Sequence, residues 1–589
     1  MNIKSKIKAL DFPIVVTIIF VIIIGFSIFV RSQGLGYSGF QGDEVNPMTF
    51  MYEGMDKGFL NYLLSQKRGP MQYVINYANV SSFGYHGEAL IRLPYLIFGI
   101  LALFTFYKLA EKIFKDDKTT AFLTTVLIAI NGLFIAFARI TQYQSFMYFL
   151  VPIGVYVFIK ALEKKDIKKF ILAGLLMSVA FLAHMDTMSV TPFFLAGFLA
   201  SFIRDLSTDG KETKVKKLIL NYLKMGFVFF AFFLVPALAF YIPFSMGQNF
   251  SDTTSGYLEG RLFGGGFMPR TGITLKLITM YVPALHLYFL FLTGLLGIIY
   301  IGKNLDKIKI LKLNLTKKHM SIIFLSFIVL LGFAVVFSLY PIKPRMSSLL
   351  VLGSSLMISL MLILAKKVDW KQAALVSWFL AAFSFYFFVM KDPRTHIYVS
   401  LIPLFAISAY GLVEFYRSIR INWVKYLYLN VLTLSFVLIC GVNFVIFVDK
   451  SPEYPWWDKN FMGREIYRIK RVRHEKIEGV FGFNNYRGWD QVADLYKRGC
   501  LTGSFNSNEK DSITYFYIRQ TQKKGDLWEL TADSDTLIIV EGPHSWIYYS
   551  KDKVPSDYSL LHTIESKGIP VTYIYGRDNA YPEGKLLCN

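Results

Sequence analysis

The feature that most constrains this chain is a recurring length. A helix that crosses a bilayer needs about 20 mostly apolar residues. Roughly thirteen stretches meet that need: 12–30, 89–107, 119–138, 144–162, 168–184, 187–204, 218–246, 273–301, 319–340, 346–365, 371–390, 396–416 and 424–448. In water so much apolar surface could not be covered. The composition agrees, with 54% hydrophobic and only 18% charged residues, where a soluble protein carries about 25% charge. The net charge of +22 is scattered in short clusters between the apolar stretches. A nucleic-acid protein would gather it on one face or arm. Three cysteines, Cys440, Cys500 and Cys588, are too few for a disulfide scaffold or a cysteine-rich zinc module.

The clusters also orient the chain, because lysine and arginine accumulate in cytoplasmic connections. Lys4, Lys6 and Lys8 precede the first stretch, and Lys108, Lys112, Lys115 and Lys118 follow the second. Every second connection after that is basic, as far as Arg417, Arg420 and Lys425. The N-terminus is therefore expected in the cytoplasm and the C-terminus outside. No cleavage-site pattern follows the first stretch, so it is expected to be a retained helix and not a signal peptide.

On the outer side the loop 31–88 is far longer than a passive connector. It holds two apolar stretches, 47–64 and 70–83, too short to span and suited to helices lying in the interface. The loop 247–272 is rich in glycine. After residue 448 the composition turns soluble. The tail 449–589 reads as a small extracytoplasmic α/β domain, with strands near 477–483, 513–518, 536–540 and 571–575 and a helix at 489–497.

The charged residues outside carry the chemistry. Asp43 and Glu44 form an adjacent acid pair just beyond the first stretch. Such a pair suits general-base work or metal binding, although solvated loop acids look the same. Glu88 and Arg92 lie one helical turn apart at the start of the second stretch, where an ion pair or a functional role is open. Arg139 could hold a phosphate through two parallel hydrogen bonds, or anchor the helix at the interface. His184 and Asp186, two residues apart, could share a divalent metal. Lys343, Arg345, Lys391 and Arg394 stand in outer turns, where positive charge is normally scarce. An anionic ligand such as a polyprenyl phosphate, or anionic lipid headgroups, would account for them. The chain has no phosphate-binding glycine loop, dinucleotide fingerprint, zinc-protease motif or nucleophile elbow.

In order along the chain, Asp43-Glu44, Arg68-Gly-Pro70, Glu88-Ala-Leu-Ile-Arg92-Leu-Pro94, Ala138-Arg139-Ile-Thr141 and Arg394-Thr-His-Ile-Tyr398 resemble glycosyltransferase family 39. This group of GT-C membrane enzymes includes protein O-mannosyltransferases and bacterial aminoarabinose transferases. The resemblance implies an α-helical polytopic membrane protein of GT-C type. It implies a transferase that moves a sugar from a polyprenyl (or dolichyl) phosphate donor to a protein, lipid or glycan acceptor on the outer face of the cell membrane. Asp43 matches the family's catalytic base, with Glu44 as its companion. Arg68, Arg139 and Arg394 would hold the lipid phosphate, and Glu88 matches a position associated with a divalent metal.

The chain departs from the family where Gln144 stands for a frequent acid and His184-Met-Asp186 for a frequent lysine. The expected site thus comprises Asp43 and Glu44 for catalysis. Arg68, Glu88, Arg92, Arg139, Lys343, Arg345 and Arg394 would serve substrate and lipid phosphate. Glu88, His184 and Asp186 are the option for a divalent metal ion, and no other cofactor is indicated. The partners are the lipid-linked donor, an acceptor and membrane lipids, with no nucleic acid. A transporter or flippase for a lipid-linked sugar, or an inactive accessory protein, are the alternatives.

Overall fold

The computed structural model describes residues 11–41, 43–45, 47–48, 58–64, 69–209, 212–247, 269, 281–282, 284–306, 308–310, 313–339, 344–450, 460–461, 464–465, 482–518, 534–541 and 554–588. Each apolar stretch is met by a helix among them. In chain order these are α1 (Ile14–Ser32), α2 (Glu88–Ile113), α3 (Lys118–Ala129), α4 (Gln144–Lys164), α5 (Ile167–Ala183), α6 (Thr191–Asp209) and α7 (Glu212–Ser245). They continue with α8 (Ala284–Gly302), α9 (Lys317–Phe337), α10 (Pro344–Leu364), α11 (Trp370–Phe388), α12 (Tyr398–Ser418) and α13 (Asn422–Phe447). Among the described residues, 11 helices are long and apolar enough to cross a membrane. The two helices that fall short are α3, with 12 residues, and α5, with 17.

The stretch expected as one span over 119–138 breaks after α3 and resumes as a short helix, Gly132–Phe137. Asn131 causes the break. Its side chain caps the second helix by accepting from the Leu133 and Phe134 amides, the role asparagine plays at a helix start. The carbonyls left open at the end of α3 are met from neighbouring helices. Arg31 Nη1 donates to Ala129 O at 2.9 Å, and Asn443 Nδ2 donates to Ile130 O at 2.7 Å. A break inside a bilayer-sized helix is tolerated because buried polar groups replace the lost ladder.

Helices α8 and α12 pack backbone against backbone. A methyl group on Gly297 would lie 2.1 Å from Ile407 O, and one on Gly411 would lie 2.4 Å from Thr293 O. Small residues at such crossings let helices without a hydrophobic driving force gain close contact.

The loop 31–88 contains the helices Phe59–Leu64 and Met71–Phe83, in keeping with the helices expected there. The tail folds around a four-stranded sheet: β1 (Phe505–Ser507), β2 (Thr536–Val540), β3 (Tyr558–Ser566) and β4 (Ile569–Arg577), in the order β1-β2-β4-β3. β1 and β2 run parallel, and the other pairings are antiparallel. Lys567 and Gly568, both at positive φ, make the tight turn between β3 and β4. The expected helix at 489–497 and strands at 536–540 and 571–575 are present. The stretch 513–518 is not a strand. It lies in a helix, Asp511–Tyr517, despite its β-prone Ile-Thr-Tyr-Phe-Tyr-Ile composition. Tertiary packing decides it: Phe516 meets Phe40 and Tyr85 edge-on at 5.2 and 5.5 Å. Most of the strand expected at 477–483 lies outside the described residues.

The tail does not stand apart from the loop 31–88. Phe40, Val45, Met48, Val80 and Ile91 share one buried cluster with Trp489, Phe516, Ile538 and Ile574 of the tail. The tail therefore helps to shape the loop that carries Asp43.

Candidate functional site

Glu44 organises the acid pair. Arg92 grips it with two parallel hydrogen bonds, Nε to Oε1 and Nη2 to Oε2, both at 2.9 Å. The Gln41 amide donates to Oε2 at 3.0 Å, and the Thr141 amide donates to Oε1 at 2.9 Å. Glu44 is fully buried. These contacts correct two expectations. Glu44 has the surroundings of a structural anion and not of a catalytic companion. Arg92 pairs with Glu44 and not with Glu88 one turn before it. Its remaining donors meet the carbonyls of Leu35 and Ser38, each at 2.8 Å, so its guanidinium faces backbone and not a phosphate. Asp43 sits half-buried beside Glu44 on the same turn.

Arg139 is also buried and occupied. It donates to Val30 O at 2.6 Å, Gln33 O at 2.8 Å and Gly482 O at 3.2 Å. Burial, with Arg92 adding repulsion, pushes its guanidinium down to about 9. It ties the end of α1 to Gly482 of the tail, in place of the phosphate-holding role expected for it. Glu88 accepts from the Tyr517 hydroxyl. Burial first, and Glu88 second, hold the Tyr517 phenol well above its usual range, so it stays a donor.

The turn 139–144 links the acid pair to a second polar cluster. Two residues after Thr141, the Tyr143 ring stacks flat on His184, with centroids 3.9 Å apart and an interplanar angle of 6°. The Tyr143 hydroxyl lies 3.5 Å from His396 Nδ1. Asp186 is at the centre of this cluster. Its carboxylate accepts from Tyr386 at 3.1 Å and Tyr398 at 2.9 Å, and Oδ2 lies 2.8 Å from His396 Nδ1. Burying an acid requires such partners. Two stretches of chain form the cluster. His184, just after α5, and Asp186, in the 3-10 turn Met185–Val190, belong to one, and His396, in the 3-10 turn Arg394–Ile397, belongs to the other.

Arg394 opens the last of these turns with φ at 41°, a left-handed conformation that a side chain disfavours. Such strain gathers at functional sites. The Arg394 guanidinium binds Asp392 at 2.8 Å and is about one-third exposed. Arg345, at the start of α10, is exposed. Arg68, Lys343 and the glycine-rich part of the 247–272 loop lie outside the described residues. Gly69, next to Arg68, lines the same cavity as the cluster.

That cavity has a volume of about 1320 Å³. His184, Asp186, His396 and Gly69 are at its loop end. From there it runs into the bundle between α6, α10 and α11, walled by side chains such as Leu195, Leu199, Leu356 and Phe385. A long apolar chain with a polar head fits this distribution.

Reading by spacing missed His396, Tyr143, Tyr386 and Tyr398. The histidine stands in the quoted Arg394-Thr-His motif, but 210 residues separate it from Asp186. No local spacing could join them. The expected metal set is also changed: Glu88 belongs with Tyr517, and His396 takes its place beside His184 and Asp186.

Residues 67–240 match the family described as dolichyl-phosphate-mannose-protein mannosyltransferase. That segment contains the Glu88 to Pro94 and Ala138 to Thr141 motifs. No curated relative matches. Among solved structures, the oligosaccharyltransferase AglB of Archaeoglobus fulgidus, in complex with an inhibitory peptide and a dolichol-phosphate, is similar at 14% identity and a TM-score of 0.40. That match covers 85% of this chain and 59% of the other, so the chain spans about three-fifths of that protein's length. ArnT of Cupriavidus metallidurans bound to undecaprenyl phosphate is similar at 12% identity and a TM-score of 0.39, over 94% of this chain and 97% of the other. Likenesses this remote carry no weight for the site.

Proposed function

We propose that this protein is a membrane glycosyltransferase. It moves a sugar from a polyprenyl (or dolichyl) phosphate donor to a protein, lipid or glycan acceptor at the outer face of the plasma membrane. The observation that carries the reading is the apolar cavity of about 1320 Å³ with its polar cluster at the loop end. The lipid chain lies in the cavity, and its phosphate lies at the cluster. The family match over residues 67–240 supports the same class of reaction.

The polypeptide divides into a membrane transferase domain, 1–448, and an outer α/β domain, 449–589. Basic clusters at alternate connections support a cytoplasmic N-terminus and an outer C-terminus. The bonded pair Cys500–Cys588 supports the same side for the tail, since disulfides persist in oxidising compartments. Asp43 takes the proton of the acceptor hydroxyl as that oxygen attacks the anomeric carbon. Glu44 and Arg92 hold Asp43 in place without touching substrate. Arg394, with Arg68, Lys343 and Arg345, supplies positive charge to the departing lipid phosphate, which lowers the barrier by stabilising charge that develops there.

The test is transfer by the purified protein in lipid vesicles, using a labelled polyprenyl phosphate sugar. The expected result is sugar on an acceptor and free polyprenyl phosphate. Glycans and glycolipids of cells lacking the protein would identify that acceptor. Movement of the lipid across the bilayer without transfer would overturn the reading in favour of a flippase. Full turnover by Asp43→Asn would overturn the assigned base.

A further inference from the structure

We propose that His184, Asp186 and His396 bind a divalent transition-metal ion of the zinc class at the loop end of the apolar cavity. Two segments far apart in the chain, 184–186 and 394–397, bring three ligand atoms that lie within 4.8 Å of one another. A tetrahedral ion with bonds of about 2.0–2.1 Å sets its ligand atoms roughly 3.3 Å apart. His184 Nδ1 lies 3.3 Å from Asp186 Oδ2, and His396 Nδ1 lies 2.8 Å from that oxygen. Small side-chain rotations separate the second pair to the same spacing.

The Asp186 amide donates to His184 Nδ1 at 3.1 Å, and a bound ion takes over that lone pair. The donor set decides the class of ion. Two imidazoles and one carboxylate suit zinc and its neighbours, whereas magnesium and calcium prefer oxygen alone.

Surrounding groups hold the ligands in position. Tyr386 and Tyr398 donate to the two carboxylate oxygens, and the Tyr143 ring fixes the plane of His184. Hydrogen-bonded neighbours of this kind orient the ligands of metal sites. All three ligand residues line the cavity and remain slightly exposed, so a fourth coordination position opens into it.

Charge gives the site its purpose, and this step rests on the transferase reading. A bare carboxylate at the mouth of a cavity repels the phosphate of a lipid donor. A divalent ion there turns a local charge of −1 into +1 and supplies a direct ligand position for a phosphate oxygen.

The test starts without lipid. Full-length protein in detergent is stripped with a chelator, dialysed against zinc, manganese or magnesium, and its metal content measured. One equivalent of zinc is expected, with weaker manganese and no stoichiometric magnesium. His184→Ala and His396→Ala should each abolish stoichiometric zinc. Tyr386→Phe should weaken it on the order of tenfold.

Cobalt(II) is a second probe that a merely misfolded variant cannot satisfy. The cobalt form of His396→Cys should gain a thiolate-to-cobalt absorption band that the original protein lacks. Failure to retain zinc, zinc retention undiminished in both histidine variants, or no new band in a folded His396→Cys protein would each overturn the site. Because these measurements use no donor, stoichiometric zinc supports the site even if sugar transfer fails. Tighter binding of undecaprenyl phosphate with zinc than without it then supports the phosphate role, and equal binding overturns that role.

Discussion

Arg92 and Glu44 form a buried, two-pronged ion pair, with both contacts at 2.9 Å and the side chains 3% and 0% exposed. The pair joins the second long helix to the turn that carries Asp43. Removing one partner leaves a buried charge without its counter-charge, which costs about 3–5 kcal/mol. Arg92→Met and Glu44→Gln should therefore lower thermal stability in detergent by that order. Arg92→Lys should recover little, because an ammonium cannot make two parallel bonds to one carboxylate. Asp43→Asn, on the same turn, should unfold at nearly the original temperature while losing transfer. Differential unfolding measurements on the four variants separate the residue that holds the turn from the one that acts.

The tail reaches the same turn from the other side. Tyr517 accepts from the Phe40 amide at 2.9 Å and donates to Glu88, and Arg487 donates to Phe40 O while gripping Glu509 at 2.6 Å. Tyr517→Phe removes a hydrogen bond to a charged group, a loss of about 1.5–3 kcal/mol. The expected effect is faster amide exchange across residues 38–45, with exchange in α8 and α12 unchanged. A turnover defect without a change in donor KM would mark Tyr517 as a positioning residue.

Cys500 and Cys588 are bonded, and Cys440 is buried in α13. A thiol reagent should label none of the three in the folded, unreduced protein. After reduction it should label two, as read by intact mass. Cys588→Ser should destabilise the tail by about 2–4 kcal/mol, because the bond closes a long loop in the unfolded chain. The effect should appear in the tail's exchange rates and leave the membrane helices unaffected.

Much of the fold was legible because the bilayer imposes one length on every crossing, and that length is written locally. The break at Asn131 was not, since an isolated Asn-Gly inside an apolar run reads as a tolerated pair until Arg31 and Asn443 supply its missing partners. In the tail, 513–518 has strand propensity, and contacts with Phe40 and Glu88 turn it into a helix. For the site, the charges in the connecting loops were visible one by one. Arg92 and Arg139 looked like phosphate ligands because a sequence does not show whether an arginine's donors are already occupied by carbonyls. The Asp186–His396 contact depends on α11 packing against both short turns, Met185–Val190 and Arg394–Ile397, so only the folded chain reveals it.

Gly297 and Gly411 set the spacing of α8 and α12, where added methyl groups would lie 2.1 and 2.4 Å from backbone oxygens. Gly297→Ala should push the helices apart and destabilise the bundle by about 1–3 kcal/mol, the range for overpacking. Gly332→Ala, in α9 where an added methyl meets nothing within 4 Å, is the control. It should be neutral or slightly stabilising, because alanine favours helix. Thermal unfolding of the two variants tests the difference.

Gly353 lines the cavity in the middle of α10, and a methyl group there would meet nothing within 4 Å. Gly353→Leu should therefore be accepted by the helix while its side chain enters the space given to the lipid. Leucine favours helix over glycine by less than about 1 kcal/mol, so stability should be unchanged or slightly raised. What changes is the length of chain the cavity can hold. For a donor with a long polyprenyl chain, KM should rise on the order of tenfold, the effect of about 1.4 kcal/mol of lost binding. For a donor with a two- or three-isoprene chain, KM should stay near its original value. Equal effects on long and short donors would place the lipid chain somewhere other than this cavity.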